Sequence, residues 1–179
     1  MSFLRSLFAR LFSWQSAWVP TPVQVKDPAA MMREMRLAWL TRVPEKGTYK
    51  TQDDVVSALM DWPLGQQTVT VLASSLGDAS LYTTSTFGII GGIGHESVRK
   101  AALGFIGCAQ RFLSITNPTE DFVHSDSKAL RFYMVTPAGV RSVSFPMADT
   151  EKKDSAARAL YAYGQQVVTE LRQIPSIQK

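Results

Sequence analysis

The sequence predicts an α+β fold: a roughly five-stranded antiparallel sheet with helices packed on it, in the order α-βββ-α-ββ-α. Of the 179 residues, 45% are hydrophobic and 19% are charged, which suits one domain with a real core. Apolar side chains alternate with a period of two over residues 54–84 and 130–145, as they do in strands. Other segments carry apolar residues at the i, i+3, i+4 spacing of helices.

An amphipathic helix is predicted over residues 1–19, followed by a linker at residues 20–27 and a single domain at residues 28–179. Arg5 and Arg10 interrupt the apolar run, so the segment is too short and too charged to span ~30 Å of hydrocarbon. Three roles stay open for this segment: it binds the surface of an anionic membrane, it packs on the domain or on another subunit, or it is a mitochondrial presequence. The side chains predicted to contact a membrane or a partner are Phe3, Leu4, Leu7, Phe8, Leu11, Phe12 and Trp14.

The first helix of the domain is expected to begin after Asp27, an N-cap residue that precedes proline, and to run to about Thr41. Met32, Met35 and Trp39 share one face of this helix. A methionine-rich face usually packs adaptably in a core, and we expect it to do so here.

Three strands are predicted next. The first starts near Asp54 and ends in a turn at Pro63 and Gly65, the second covers residues 68–74, and the third covers residues 79–84. The connections between them are short, and short connections require antiparallel neighbours.

A second helix is predicted over residues 95–115, after a glycine-rich segment. A polar loop at residues 116–128 then leads to two more strands, at residues 130–135 and 140–145, joined by a turn that contains proline. The last helix is expected to be capped by Asp154 and to run to about Gln173.

The charge distribution argues against a nucleic-acid partner. The net charge is +4, but residues 1–26 hold three bases and no acid, so the remaining sixteen bases and fifteen acids leave the body at only +1. A nucleic-acid footprint needs clustered Lys and Arg, which the body lacks. The single cysteine, Cys108, rules out an intramolecular disulfide and a cysteine-rich metal site.

The glycine-rich segment between strand and helix is the candidate ligand site. Glycines followed by a helix start expose backbone N–H groups, which is the chemistry of an anion site. The spacing matches neither GxxxxGK[ST] nor G-x-G-x-x-G, and Ile89, Ile90 and Ile93 make the loop apolar. A purely structural turn and a partner contact are therefore the competing interpretations. The candidate ligand-binding residues are Gly91, Gly92, Gly94, His95, Ser97, Arg99 and Lys100.

No residue is predicted to be catalytic, and no metal or cofactor is expected. His95 beside Glu96 suggests an acid–base pair, but adjacent helical residues point about 100° apart. His124 lies near Glu120, Asp121 and Asp126, without the regular spacing of a metal site. Asp61 is interpreted as lying at the end of a strand, where catalytic groups often lie, and the shaping of the turn is its alternative role. Cys108 is interpreted as a small buried hydrophobe.

Four phrases of the sequence, LMDWPLG, TVTVLASSLGDASLY, GIIGGIGHESVRKAA and RFYMVTPAGV, resemble those of a group of small bacterial α+β proteins of unassigned function. The resemblance covers roughly residues 28–174. It implies a bacterial, cytoplasmic setting, and it brings no activity, cofactor or catalytic residue.

The sequence therefore predicts a non-enzymatic protein-interaction module. It would self-associate, or dock to a protein partner or an anionic membrane surface through its N-terminal helix. The expected location is the cytoplasm, with peripheral association with the inner membrane as a further possibility. The alternative is a small-ligand-binding domain or enzyme with its site at residues 88–100.

Overall fold

A computed structural model of the chain describes residues 27–85, 88–124 and 129–174. The predicted amphipathic helix at residues 1–19 and nearly all of the linker that follows it lie outside these ranges. The helices are α1 (Pro28–Thr41), α2 (Glu96–Arg111) and α3 (Ala156–Arg172). The strands are β1 (Ser57–Leu64), β2 (Gln67–Ser74), β3 (Ala79–Thr83), β4 (Gly88–Ile89), β5 (Asn117–Pro118), β6 (Ala129–Thr136) and β7 (Gly139–Pro146).

The α+β class, the antiparallel sheet and the order of the main elements are confirmed. The sheet has seven strands in the order β4-β3-β2-β1-β6-β7-β5, and every neighbouring pair is antiparallel. The prediction of about five strands was wrong, because β4 and β5 span only two residues each and such lengths leave no alternation to detect. These two short strands form the edges of the sheet, and Pro118 in β5 has no backbone N–H to offer.

Helices cover both faces of the sheet. α2 and α3 pack on one face, where Met60, Val71 and Phe132 meet Phe105 and Leu160 in the larger core. α1 packs on the opposite face, against a second core. The core side chains beneath it include Leu59, Leu72, Tyr82, Tyr133 and Val135. Because both faces are buried, the polar residues of the central strands are buried too, and Asp61, Thr70 and Ser80 each expose 2% or less of their surface.

Several predicted boundaries were displaced. β1 continues through Pro63 to Leu64, and the turn falls at Gly65, whose φ is +64°. Proline is tolerated there because β6 pairs with β1 only as far as Asp61. The helical segment predicted over residues 95–115 divides into α2 and a short 3-10 turn, Leu113–Ile115.

The last helix is capped differently from the prediction. Ser155, not Asp154, is the N-cap of α3, and its hydroxyl accepts a hydrogen bond from the Arg158 N–H at 3.1 Å. Asp154 instead adopts a left-handed backbone with φ +60°, which a capping residue does not use. Within the three described ranges, no helix is both long enough and apolar enough to cross a membrane.

Candidate functional site

The glycine-rich turn between β4 and α2 has a conformation that requires glycine at two positions. Gly91 has φ +83°, in the left-handed region that side chains disfavour. Gly92 is buried beneath α2 and α3, and a Cβ placed on it would lie 2.5 Å from Val98 Cγ1 and 3.0 Å from Leu171 Cδ2. These two glycines therefore let the chain pass close under the helix pair, which is a structural role.

The predicted ligand-binding residues meet only in part. Gly94, Arg99 and Lys100 border a shallow, open depression, together with Ile93, Glu96 and Leu103. His95 and Ser97 are exposed but do not border it. The His95 side chain makes no capping hydrogen bond at the start of α2.

Exposed aliphatic side chains lie at and near this depression: Ile93 and Leu103 border it, and Ile90 does not. Ile90 is 53% exposed, Ile93 is 50% exposed and Leu103 is 46% exposed. Leu103 lies at the middle of the exposed side of α2, because residues three and four apart share one face of a helix. We call this side the α2 outer face and define it by Glu96, Lys100, Leu103, Gly107 and Arg111, all of which are exposed.

A buried polar cluster lies on the opposite face of the sheet, and its centre is Asp61. The Asp61 carboxylate accepts hydrogen bonds from Arg36 Nε at 3.2 Å and Arg36 Nη2 at 2.5 Å, and from the Thr70 hydroxyl at 2.6 Å. Thr70 is directly opposite Asp61 in the β1–β2 register, whereas Arg36 comes from α1. The side chains of Arg36 and Asp61 are only 4% and 3% exposed.

The same cluster attaches residues 121–124 to the sheet. Arg36 Nη1 donates to the Phe122 carbonyl at 2.6 Å, and Arg131 Nη1 lies 2.9 Å from Asp121 Oδ2. His124 Nδ1 lies 3.6 Å from Asp61 Oδ2. Arg36 therefore connects α1, β1 and the 121–124 segment at one point.

Electrostatics favours the charged form of both central groups. Burial alone would raise the pKa of Asp61, but its contacts with His124, Arg36 and Thr70 outweigh burial and hold the pKa below its ordinary value. Burial alone would lower the pKa of Arg36, but Asp61 outweighs it and the pKa is raised. The two charges neutralise each other inside the fold. The Arg36–Asp61 ion pair therefore serves to hold α1 on the sheet.

Sequence analysis missed this cluster for two reasons. The sequence places Asp61 at the end of a strand, but it lies within β1, three residues before the end of that strand. Arg36 was not considered, although it lies four residues from both Met32 and Leu40 and therefore on the buried face of α1. A charged residue on an apolar helix face is the signal that indicates a buried partner.

The remaining candidates are His124 with its acidic neighbours, and Cys108. Among the residues that the structure describes, no group of three or more His, Cys, Asp or Glu side chains is arranged to hold a metal ion. Asp126, which the sequence places near His124, lies outside the described ranges. Cys108 is buried in the larger core, and burial raises the pKa of its thiol.

Comparison with family models, curated proteins and solved structures finds no match to this chain.

Proposed function

We propose that this chain is a non-enzymatic interaction module that self-associates through the α2 outer face. The observation that carries the proposal is the exposure of Leu103 at the centre of that face, with Ile93 bordering the same depression. Exposed aliphatic side chains that share a surface are typical of protein contacts, whereas isolated ones need no explanation. The basic residues Arg99 and Lys100 surround them as a polar rim.

A small-ligand site is less well supported at this position. Ligand sites are usually concave and enclose most of the ligand, but the depression beside Ile93 and Leu103 is shallow and open. Glu96 borders it and would repel an anion. The polar groups that converge best, around Asp61, are already bonded to one another beneath α1.

The experiment that tests self-association is sedimentation equilibrium over a wide range of protein concentration. We expect the average mass of the wild type to rise with concentration and that of Leu103→Glu to stay at the monomer value. Leu37→Glu is a matched control, because Leu37 is 45% exposed on α1, on the other side of the sheet. A wild type that stays monomeric, or a Leu37→Glu variant that loses association equally, would refute the proposal.

The N-terminal segment is proposed to dock the module to an anionic membrane surface on the cytoplasmic side. Its aromatic and aliphatic stripe, followed by Trp14 and joined by Arg5 and Arg10, supports this role. Co-sedimentation with liposomes that contain anionic lipid should pellet the full chain but not a variant that lacks residues 1–19. If both forms pellet equally, the docking role is wrong. The concentration series repeated on the shortened form shows whether the body associates by itself.

A further inference from the structure

We infer that two copies pair with their α2 helices antiparallel, related by a two-fold axis that passes between Leu103 and Gly104. This inference rests on the proposed self-association and specifies its partner as a second copy in one register. The order of side chains along the α2 outer face points to this register.

Charge complementarity selects the antiparallel arrangement. Glu96 lies in the first turn of α2 and Arg111 in the last turn. The two are equidistant from the point between Leu103 and Gly104, so an antiparallel pair places each Glu96 opposite the other copy's Arg111. A parallel pair would instead place Glu96, Lys100 and Arg111 opposite their own copies, and like charges that face each other are repulsive. A two-fold pair, in which residue i of one copy contacts residue j of the other and residue j contacts residue i, is the commonest geometry of homodimers.

Side-chain size fits the same register. The two copies of Leu103 then lie beside the axis, and Lys100 of each copy lies against Gly107 of the other. A Cβ added at Gly107 would meet no atom within 4 Å, so this glycine leaves room above the helix. The aliphatic stem of Lys100 can cover that space while its amine stays in water. Gly104 lies outside this contact, because it faces α3, where the Tyr163 ring lies 3.2 Å from the position of its absent Cβ.

The expected dimer is weak and reversible. A single pair of helices about 24 Å long buries an area at the low end of protein interfaces, below ~1,200 Å². The α2 outer face of each copy has one acidic residue, Glu96, and two basic residues, Lys100 and Arg111, and all three are exposed. Ion pairs between such exposed residues fix the orientation of the two copies more than they add affinity. In each isolated helix the same two charges also complement the helix dipole.

Thiol cross-linking of full-length protein tests the register. Glu96→Cys and Arg111→Cys are made separately in a Cys108→Ala background and treated with a short bismaleimide, alone and mixed. In the antiparallel dimer the two copies of residue 96 lie about 22 Å apart along the helix axis, so each variant alone should stay uncrosslinked. The mixture should give a covalent dimer, because residue 96 then faces residue 111. The mixed dimer also keeps one intact Glu96–Arg111 pair.

Each outcome is decisive. Cross-linking of Glu96→Cys alone means a parallel pair and overturns the inference. Absence of cross-linking in every sample, while Leu103-dependent association persists, overturns the register and leaves self-association standing. A monomeric wild type overturns both.

Charge reversal gives an independent readout. At low salt, Glu96→Arg and Arg111→Glu should each raise the dissociation constant of the dimer about tenfold. Each variant converts the two attractive 96–111 contacts of the dimer into repulsive ones. The double variant should recover most of the wild-type affinity. If the double variant is weakened by the product of the two single effects, the pair does not exist.

Discussion

The buried ion pair between Arg36 and Asp61 gives the strongest stability prediction. Asp61→Asn keeps the shape of the side chain but removes its charge. The Arg36 guanidinium, only 4% exposed, then remains charged inside the fold without a counter-ion. Removing one partner of a buried pair typically costs about 3–5 kcal/mol. A domain of this size is stable by about 5–15 kcal/mol, so this one change should remove a large part of the free energy of unfolding.

Urea denaturation measures this free energy. We expect the midpoint to fall sharply for Asp61→Asn, with little change in the slope m, because the surface exposed on unfolding is the same. Arg36→Met should be destabilising for the converse reason, since it leaves Asp61 charged with only Thr70 and His124 beside it. The double variant Arg36→Met with Asp61→Leu buries no charge and should cost less than either single change.

Two results would refute this reasoning. The first is a cost below about 1 kcal/mol for Asp61→Asn, which is the range of an exposed ion pair. The second is a double variant whose loss equals the sum of the single losses. Either result would mean that Arg36 and Asp61 act independently or that the carboxylate is reached by water.

Further predictions concern the glycine turn, the start of α3 and acid stability. In thermal melts, Gly92→Ala should lower the free energy of unfolding by about 1–3 kcal/mol, because its Cβ would overlap Val98. Gly94→Ala is the control and should be nearly neutral, because a Cβ at Gly94 meets open space. Ser155→Ala should cost about 1 kcal/mol through loss of the N-cap, and unchanged stability would contradict the assignment. The folded-state pKa of Asp61 is lowered, so its stabilisation is present above the unfolded value of about 3.9 and lost as pH falls through the folded value. The wild type should therefore lose stability below pH 4 more steeply than Asp61→Asn does in acid titrations. Identical acid profiles of the two proteins would contradict this prediction.

The sequence predicted the main elements because their periods are long and regular. Residues 68–74 alternate cleanly and form β2, and the apolar stripe of α2 is buried where the spacing placed it. The edge strands escape prediction because two residues carry no period. Asp154 is predicted as the cap because Asp and Ser are nearly equivalent at an N-cap position, although Asp154 has a left-handed backbone. Local patterns fix secondary structure but leave the pairing of strands open.

The buried cluster could not be predicted for a different reason. Arg36, Asp61 and Phe122 are separated by 25 or more residues along the chain, and only the strand order brings them together. A single sequence shows that a charge lies on an apolar helix face, but not which side chain neutralises it. The glycine turn was located correctly, and whether it binds a ligand stays a prediction, because exposed backbone at a helix start is compatible with several roles.

The two-residue strands at the ends of the sheet have a consequence for the behaviour of the protein at high concentration. A long, bare strand edge is a template on which further chains add, and such addition leads to fibrils. Here β4 offers only Gly88 and Ile89, and β5 offers Asn117 and a proline. Growth by strand addition is therefore blunted on the β4 side. On the other side β5 pairs with only Arg141 and Ser142 of the eight residues of β7, so residues 143–146 are the edge on which further chains should add at high concentration.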